Sequence, residues 1–133
     1  MPEEQRSFIS HAYDSRESIL ASCEQVLTGR TLSARDLEQI VEDSLRGAPA
    51  AKIAWAMSTI MEDITAAVAH IAVPVLIIAG ELDKIDPVGT LKSDVLARIK
   101  GATMQTLPGV GHLSPLEAPR DIADAVAEFA RGL

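Results

Sequence analysis

The sequence predicts an α/β protein in which a helical first half is followed by a strand, helix, strand and helix. The length of 133 residues, with 47% hydrophobic and 23% charged residues, fits one globular domain. Apolar residues follow helical spacing before His70, whereas a continuous β-branched run covers residues 73–79. We therefore divide the chain into a helical segment, 1-69, and a β-α-β-α part, 70-133.

The helices of the first half are predicted from caps and apolar stripes. Ser33 suits an N-cap, Asp36 would follow in the first turn, and Gly47 with Pro49 would end that helix. Residues 4–28 predict another, more polar helix. A further apolar stripe also has helical spacing: Ile53, Met57, Ile60, Ile64 and Val68. We expect this stripe to pack one face of a single helix against an apolar surface.

The second half alternates between strand and helix patterns. The run 73–79 is typical of a parallel strand buried on both faces. A helical pattern over 88–99, ended by Gly101, precedes a second strand at 102–107. The roughly 20 residues between the two strands suit a right-handed crossover. Pro119 is well placed in the first turn of a final helix.

Two parallel strands leave unpaired backbone groups along their edges. We therefore expect either a missing N-terminal half that completes the sheet or a homo-oligomer that completes it between copies.

The net charge of −7, without a cluster of Lys and Arg, argues against nucleic acid as a partner. The lone Cys23, the absence of signal-peptide features and the short apolar run 71–80 predict a cytoplasmic protein without a membrane partner.

The candidate catalytic residues follow the two predicted strands. Gly-Glu-Leu-Asp-Lys-Ile-Asp-Pro, residues 80–87, comes directly after the first strand, and Leu-Pro-Gly-Val-Gly-His, residues 107–112, ends just beyond the second. Parallel strands would place Asp83 and His112 at the same sheet edge, where catalytic groups collect. A carboxylate bonded to one imidazole nitrogen fixes the tautomer and leaves the other nitrogen to accept a proton.

These motifs, with Leu-Glu-Ala-Pro at 116–119, resemble the C-terminal part of an α/β-hydrolase. The similar branch contains esterases, lactonases, cofactor-free haloperoxidases and carbon–carbon bond hydrolases. The resemblance implies a partial α/β-hydrolase fold, with Asp83 as the triad acid, His112 as the triad base and residues 1-69 as the cap. It also implies hydrolysis of an ester, lactone or related bond, and we expect no cofactor.

The sequence departs from this family in lacking a recognisable nucleophile. The family carries its nucleophile before the acid, on a Gly-x-Ser-x-Gly turn between a strand and a helix. Eight serines precede Asp83, none in that context: Ser7, Ser10, Ser15, Ser18, Ser22, Ser33, Ser44 and Ser58. Cys23 fails the same test. We expect a truncated or split family member that is inactive as an isolated chain, because the nucleophile and oxyanion hole supply most of the rate.

Other readings of these residues remain open at this point. His112 could be a structural histidine, and Asp83 could cap a helix, although Asp86 before Pro87 is the better cap. Glu81 together with these groups could suggest a metal site, but the irregular spacing leads us to expect no metal. Instead of an enzyme, the chain could be an oligomerisation module or could bind a small apolar ligand.

The remaining histidines and large apolar residues have ordinary interpretations. We expect His11 and His70 to lie at the surface or at helix ends. Trp55 falls off the apolar stripe and would either pack against a helix or line a pocket. Met57 and Met61 are expected to fill the core, with a pocket role as the alternative.

Overall fold

The computed structural model describes residues 3–133, which form two compact units. The first unit comprises the chain up to Gln25 together with Ser33–Asp63. The second comprises Val26–Leu32 together with Ile64–Leu133. The short segment Val26–Leu32 thus packs with the strand-containing part, although its sequence neighbours are helical. The division into 1-69 and 70-133 stays a prediction.

The first unit is helical. Its elements are α1 (Glu3–Ser10), α2 (Arg16–Ser22), α3 (Ala34–Arg46), α4 (Pro49–Met57) and a 3₁₀ turn (Thr59–Met61). A π-helical turn over Cys23–Leu27 continues α2, and its last two residues belong to the second unit. The single helix expected over 4–28 is wrong, because the chain turns between α1 and α2. Ser15 is extended there, with φ −138° and ψ 162°, and its hydroxyl accepts a hydrogen bond from the Ser18 amide. This capping box starts a new helix.

The caps of α3 agree with the sequence. The hydroxyl of Ser33 accepts a hydrogen bond from the Asp36 amide at 3.1 Å, and Gly47 follows the last helical residue. Val41 is the buried residue of this helix. The caps therefore predicted both ends of α3.

The expected single helix over the stripe from Ile53 to Val68 is wrong. Ser58 leaves the helical region, with φ −132°, and its hydroxyl bonds back to the carbonyl of Ala54. Such a bond competes with continuation of the helix. Ile53 and Ile64 are 52% and 64% exposed, so the stripe does not form one buried face.

The second unit holds the sheet. Its elements are α5 (Thr65–Val68), β1 (Leu76–Gly80), α6 (Val88–Leu91, continued by a π-helical turn over Lys92–Leu96), β2 (Thr103–Leu107), α7 (Ser114–Glu117) and α8 (Pro119–Arg131). β1 and β2 are parallel, with Leu76 opposite Thr103 and Gly80 opposite Leu107. The predicted parallel pair is confirmed, so both strands end at the same edge of the sheet.

The core of this unit lies beneath the loop that follows β2. Leu107, Val110 and Ala118 are buried together, with Ile78 and Ile122 packed against them. β1 begins later than predicted, because Pro74 cannot donate a strand hydrogen bond. Ala79 and Gly80 are buried, whereas the rest of β1 is half-buried, so full burial on both faces is not observed in the described chain.

The helices are short. The longest of those described, α3 and α8, have 13 residues each. None of the described helices has the length and apolar character needed to cross a bilayer. Pro119 opens α8 as expected, and Ala125 is the buried residue of that helix.

Candidate functional site

Asp83 and His112 meet at the carboxyl ends of the two strands. Asp83 lies three residues beyond the end of β1, and His112 lies in the loop that follows β2. The Nδ1 atom of His112 lies 3.0 Å from Oδ2 and 3.2 Å from Oδ1 of Asp83. The Asp83 side chain is 9% exposed and that of His112 is 33% exposed. The pair is therefore hydrogen-bonded, with its carboxylate buried and its imidazole accessible to another reactant.

The Asp83 carboxylate is oriented by the turn in which it lies. Its Oδ1 atom accepts hydrogen bonds from the amides of Ile85 and Asp86, at 2.8 and 2.9 Å. Asp86 does not act as the cap of α6, because Pro87 is the N-cap residue and no side chain caps this helix. Asp83 does not cap α6 either. Its Oδ1 atom stabilises the turn before the helix, and its carboxylate also contacts the imidazole.

The surroundings of Asp83 lower the pKa of its carboxyl group. Burial alone would raise the pKa, but hydrogen bonds from the Asp86 amide, from His112 and from the Ile85 amide outweigh it. The net shift is below the ordinary value. The native state therefore favours the ionised carboxylate that the imidazole contact requires.

Replacing Asp83 with asparagine is expected to make the fold less sensitive to acid. Because the native pKa lies below the unfolded value, the carboxylate contributes stability above about pH 5, and this contribution is lost as the pH falls below about 4. Asparagine keeps an oxygen for the two amides but does not titrate. The difference in free energy of unfolding between wild type and D83N should shrink as the pH falls, as measured by urea unfolding at stepped pH. A constant difference, equal to that of an exposed control such as Asp124→Asn, would contradict the expectation.

The loop that carries His112, residues 108–113, is named the histidine loop. Backbone and side-chain hydrogen bonds attach it to Glu81 and Leu82, which directly follow β1. The Leu82 amide donates to the carbonyl of Val110 at 2.8 Å. The Gly109 amide donates to Oε2 of Glu81 at 2.8 Å, and Gly109 has φ +66°, a conformation that favours glycine. Val110 is fully buried. These contacts fix the path of the chain immediately before the imidazole.

Two glycines allow close approach of the backbone around this loop. A Cβ atom at Gly111 would lie 2.5 Å from the Gly29 amide nitrogen and 2.9 Å from the Leu27 carbonyl oxygen. A Cβ atom at Gly80 would collide with the carbonyl oxygens of Gly111 and Val110. The backbone after β2 is thus enclosed between the end of β1 and the segment 26–32, with no space for side chains at the contacts.

Glu117 connects the segment 26–32 to the histidine loop. Its Oε2 atom accepts hydrogen bonds from the amides of Gly29 and Arg30, each at 2.8 Å, and of Gly111 at 2.9 Å. Arg30 also donates to the carbonyl of Pro108 at 2.7 Å. Sequence reasoning assigned no role to Glu117. The only signal was its place in Leu-Glu-Ala-Pro, because contacts 88 residues apart leave no trace in periodicity.

A second carboxylate lies near the imidazole. Oδ2 of Asp86 is 3.8 Å from Nδ1 of His112, and ligand atoms of Asp83, Asp86 and His112 lie within 4.8 Å of one another. Such a group could hold a metal ion, yet exposed acidic groups are common without one. Glu81 is engaged with the Gly109 amide instead. The expectation of no metal stays a prediction.

The first unit has an apolar groove of about 300 Å³, lined by Ile9, Tyr13, Lys52 and Trp55. Lys52 donates from Nζ to the Tyr13 carbonyl at 2.9 Å, and Trp55 is 45% exposed. Trp55 therefore lines a surface groove, one of the two positions considered for it. Burial raises the pKa of the Tyr13 hydroxyl, and Cys23 adds to the shift.

Three further residues singled out from the sequence are exposed: His11, His70 and Met61. His11 and His70 are exposed, as expected, and His11 bonds to Asp14 at 2.7 Å. Met61 is 46% exposed, so its expected role as core filler is wrong. The short turn over Thr59–Met61 leaves this side chain at the surface.

Comparison with known proteins gives matches in structure. No family model and no curated protein matches the sequence. An esterase from Exiguobacterium antarcticum matches with a TM-score of 0.84 and 16% identity, over 98% of this chain and 49% of the esterase. A bromoperoxidase from Bacillus anthracis matches with a TM-score of 0.79 and 14% identity, over 98% and 50% of the two chains. A hydrolase from Pseudomonas aeruginosa matches with a TM-score of 0.72 and 23% identity, over 96% and 48%.

These likenesses show that the chain has part of the α/β-hydrolase fold. The sequence resemblance is thereby confirmed at the level of the fold. The chain spans about half the length of the solved structures that it matches.

Proposed function

We propose that this chain supplies the acid and the base of an α/β-hydrolase active site whose nucleophile lies on a segment outside the present sequence. The observation that carries the proposal is the 3.0 Å contact between Nδ1 of His112 and the buried Asp83 carboxylate at the shared end of two parallel strands. The reaction class is hydrolysis of an ester, lactone or related bond.

In this proposal the two residues have distinct roles. Asp83 accepts the Nδ1 proton of His112 in a hydrogen bond and so holds the imidazole in the tautomer whose Nε2 is unprotonated. Nε2 then takes the proton of a nucleophilic hydroxyl and later returns it to the leaving group. Asp83 remains ionised and stabilises the imidazolium that forms between these steps. Its lowered pKa is consistent with this role.

The proposal requires a nucleophile from elsewhere. The serines of this chain that precede Asp83 lack a Gly-x-Ser-x-Gly context. A complementary polypeptide with a strand, such a turn and the oxyanion donors could pair with the free edge of the two-stranded sheet. The chain alone should therefore have no significant esterase activity, because a general base without a nucleophile and oxyanion hole forms no acyl intermediate.

Complementation tests this proposal. The chain is assayed with p-nitrophenyl butyrate and with a fluorophosphonate label, alone and after co-expression with the polypeptide encoded immediately upstream. We expect turnover and labelling only in the co-expressed sample, with the label on the other polypeptide. Loss of turnover in the His112→Ala variant of the co-expressed pair links the activity to this chain. Labelling of a serine in the isolated chain would contradict the proposal.

A second candidate function is binding of a small apolar ligand without catalysis. The groove beside Trp55 favours it, because a volume of about 300 Å³ is at the lower end of known ligand sites. In this case the free strand edges would be covered by another copy of the chain. Size-exclusion chromatography showing a stable homo-oligomer, together with quenching of Trp55 fluorescence by an apolar probe and no activity on complementation, would favour this candidate.

A further inference from the structure

The Glu117 carboxylate accepts hydrogen bonds from three backbone amides, which lie in two parts of the second unit that are distant in sequence. Gly29 and Arg30 lie 88 and 87 residues before it in sequence, whereas Gly111 precedes His112 directly. A single oxygen, Oε2, accepts all three hydrogen bonds at 2.8 to 2.9 Å. Hydrogen bonds to a charged acceptor are about twice as strong as neutral ones. The carboxylate therefore joins the segment 26–32 to the histidine loop.

This attachment acts on the backbone of His112 itself. The amides of His112 and Leu113 both donate to the carbonyl of Leu27, at 2.8 and 3.2 Å. The Leu27 carbonyl can occupy this position only while the segment 26–32 lies against the loop. Contacts on both sides of Gly111 thus determine the backbone position of His112, and with it the position of the imidazole ring. Arg30 reinforces them, because it donates to the Pro108 carbonyl at the start of the same loop.

The tolerance of the imidazole contact is small. Nδ1 of His112 lies 3.0 Å from Oδ2 of Asp83, and a shift of about 0.5 Å would take it outside good hydrogen-bond distance. Asp83 is oriented by its own turn, and the hydrogen bond from the Leu82 amide to the Val110 carbonyl holds the chain before Gly111. The contacts of Gly111 and His112 with Glu117 and the segment 26–32 hold the chain from Gly111 onwards, and so complete the position of the imidazole relative to Asp83.

We propose that Glu117 is a positioning residue for His112: by holding the segment 26–32 against the histidine loop, its carboxylate keeps Nδ1 within hydrogen-bond distance of Asp83. The inference rests on the proposed function, in which His112 must carry its proton on Nδ1. Glu117 acts through the backbone of Gly111 and Leu27 and does not contact a reacting atom.

Nuclear magnetic resonance of the ¹⁵N-labelled full chain tests this role without any activity. Long-range ¹H–¹⁵N spectra at about pH 8, where an ordinary imidazole is neutral, report which ring nitrogen carries the proton. The solvent-exchange rate of that proton reports how well it is held. The His112 signals are separated from those of His11 and His70 by their loss in the His112→Asn variant. Wild type should show the proton on Nδ1.

Two variants of Glu117 and one control should differ in the solvent-exchange rate of the Nδ1 proton. In Glu117→Ala the three amides lose their acceptor, and the Nδ1 proton should exchange about tenfold faster or more, with a mixture of tautomers. In Glu117→Gln one oxygen acceptor remains without charge, so exchange should accelerate several-fold with the tautomer retained. The exposed Glu128→Gln on α8 removes the same charge from the same unit and should leave the ring signals unchanged.

The outcomes separate the two proposals. A folded Glu117→Ala variant with wild-type ring signals would overturn the positioning role. This holds even if the urea midpoint of unfolding falls, because a residue that only stabilises the fold would lower the midpoint and leave the ring signals unchanged. If Glu117→Ala does not fold, Glu117→Gln decides, and exchange as slow as in Glu128→Gln overturns the role. Wild-type protein with the proton on Nε2 would contradict the proposed function itself, whatever the variants show.

Discussion

Replacing Gly111 with alanine is expected to destabilise the second unit by about 3 kcal/mol. The added Cβ atom would lie 2.5 Å from the Gly29 nitrogen, 2.8 Å from the Thr28 carbonyl carbon and 2.9 Å from the Leu27 oxygen. All three are backbone atoms, so no flexible side chain can move aside. Relief requires separation of the segment 26–32 from the histidine loop, with loss of the hydrogen bonds that join them. Urea unfolding monitored by circular dichroism measures the effect.

Gly89 provides the matched control for this substitution. It lies within α6 and does not have a positive φ, and apart from its chain neighbours and the backbone of its own helix no atom of the described residues lies within 4 Å of the position that an added Cβ atom would occupy. Gly89→Ala should therefore be neutral or should stabilise by up to about 1 kcal/mol, since alanine is the better helix former. Equal stabilities of G89A and G111A would show that the backbone contact at Gly111 is looser than the structure has it.

The Asp83→Asn variant is expected to lower kcat by about 10⁴-fold in a catalytically complete protein, formed with a polypeptide that supplies the nucleophile. Asparagine preserves the shape of the side chain and an oxygen for the amides of Ile85 and Asp86. Its amide group, however, donates towards Nδ1 of His112 and favours the tautomer with the proton on Nε2. The base is then blocked at the position where it should accept a proton.

Steady-state kinetics with p-nitrophenyl butyrate measure this loss. The effect should fall on kcat with little change in KM, because the tautomer affects the chemical step and not substrate binding. Asp124→Asn, an exposed change on α8, is the control and should retain wild-type rates. A loss of less than tenfold in D83N would indicate that Asp83 is not the partner on which the imidazole depends.

The contact between Asp83 and His112 could be foreseen because it depends on one general property of parallel strands. Residues that follow adjacent strands must meet at the same edge, whatever the remainder of the chain does. The first strand had a clear apolar run, and the register of Gly80 with Leu107 brought the two loops together. The ends of α3 and the start of α8 were similarly predictable, since Ser33 and Pro119 act locally.

Contacts between distant segments could not be foreseen. Apolar periodicity places residues on a helix face, but it carries no information about hydrogen bonds to backbone amides, such as those of Glu117. For the same reason nothing in the sequence indicated that Val26–Leu32 would pack with the strands. The prediction of a single helix from Ile53 to Val68 was wrong for a different reason. The helical spacing of apolar residues continues across Ser58, although the backbone leaves the helix there.

The placement of Val26–Leu32 limits how freely the helical half could be exchanged in evolution or by protein engineering. A graft that replaced residues 1–69 as one cassette would remove Leu27, Gly29 and Arg30 from the strand-containing unit. The recipient would lose the acceptor for the His112 amide and two donors to Glu117. Chimeras should therefore retain these seven residues and exchange only the helices on either side of them.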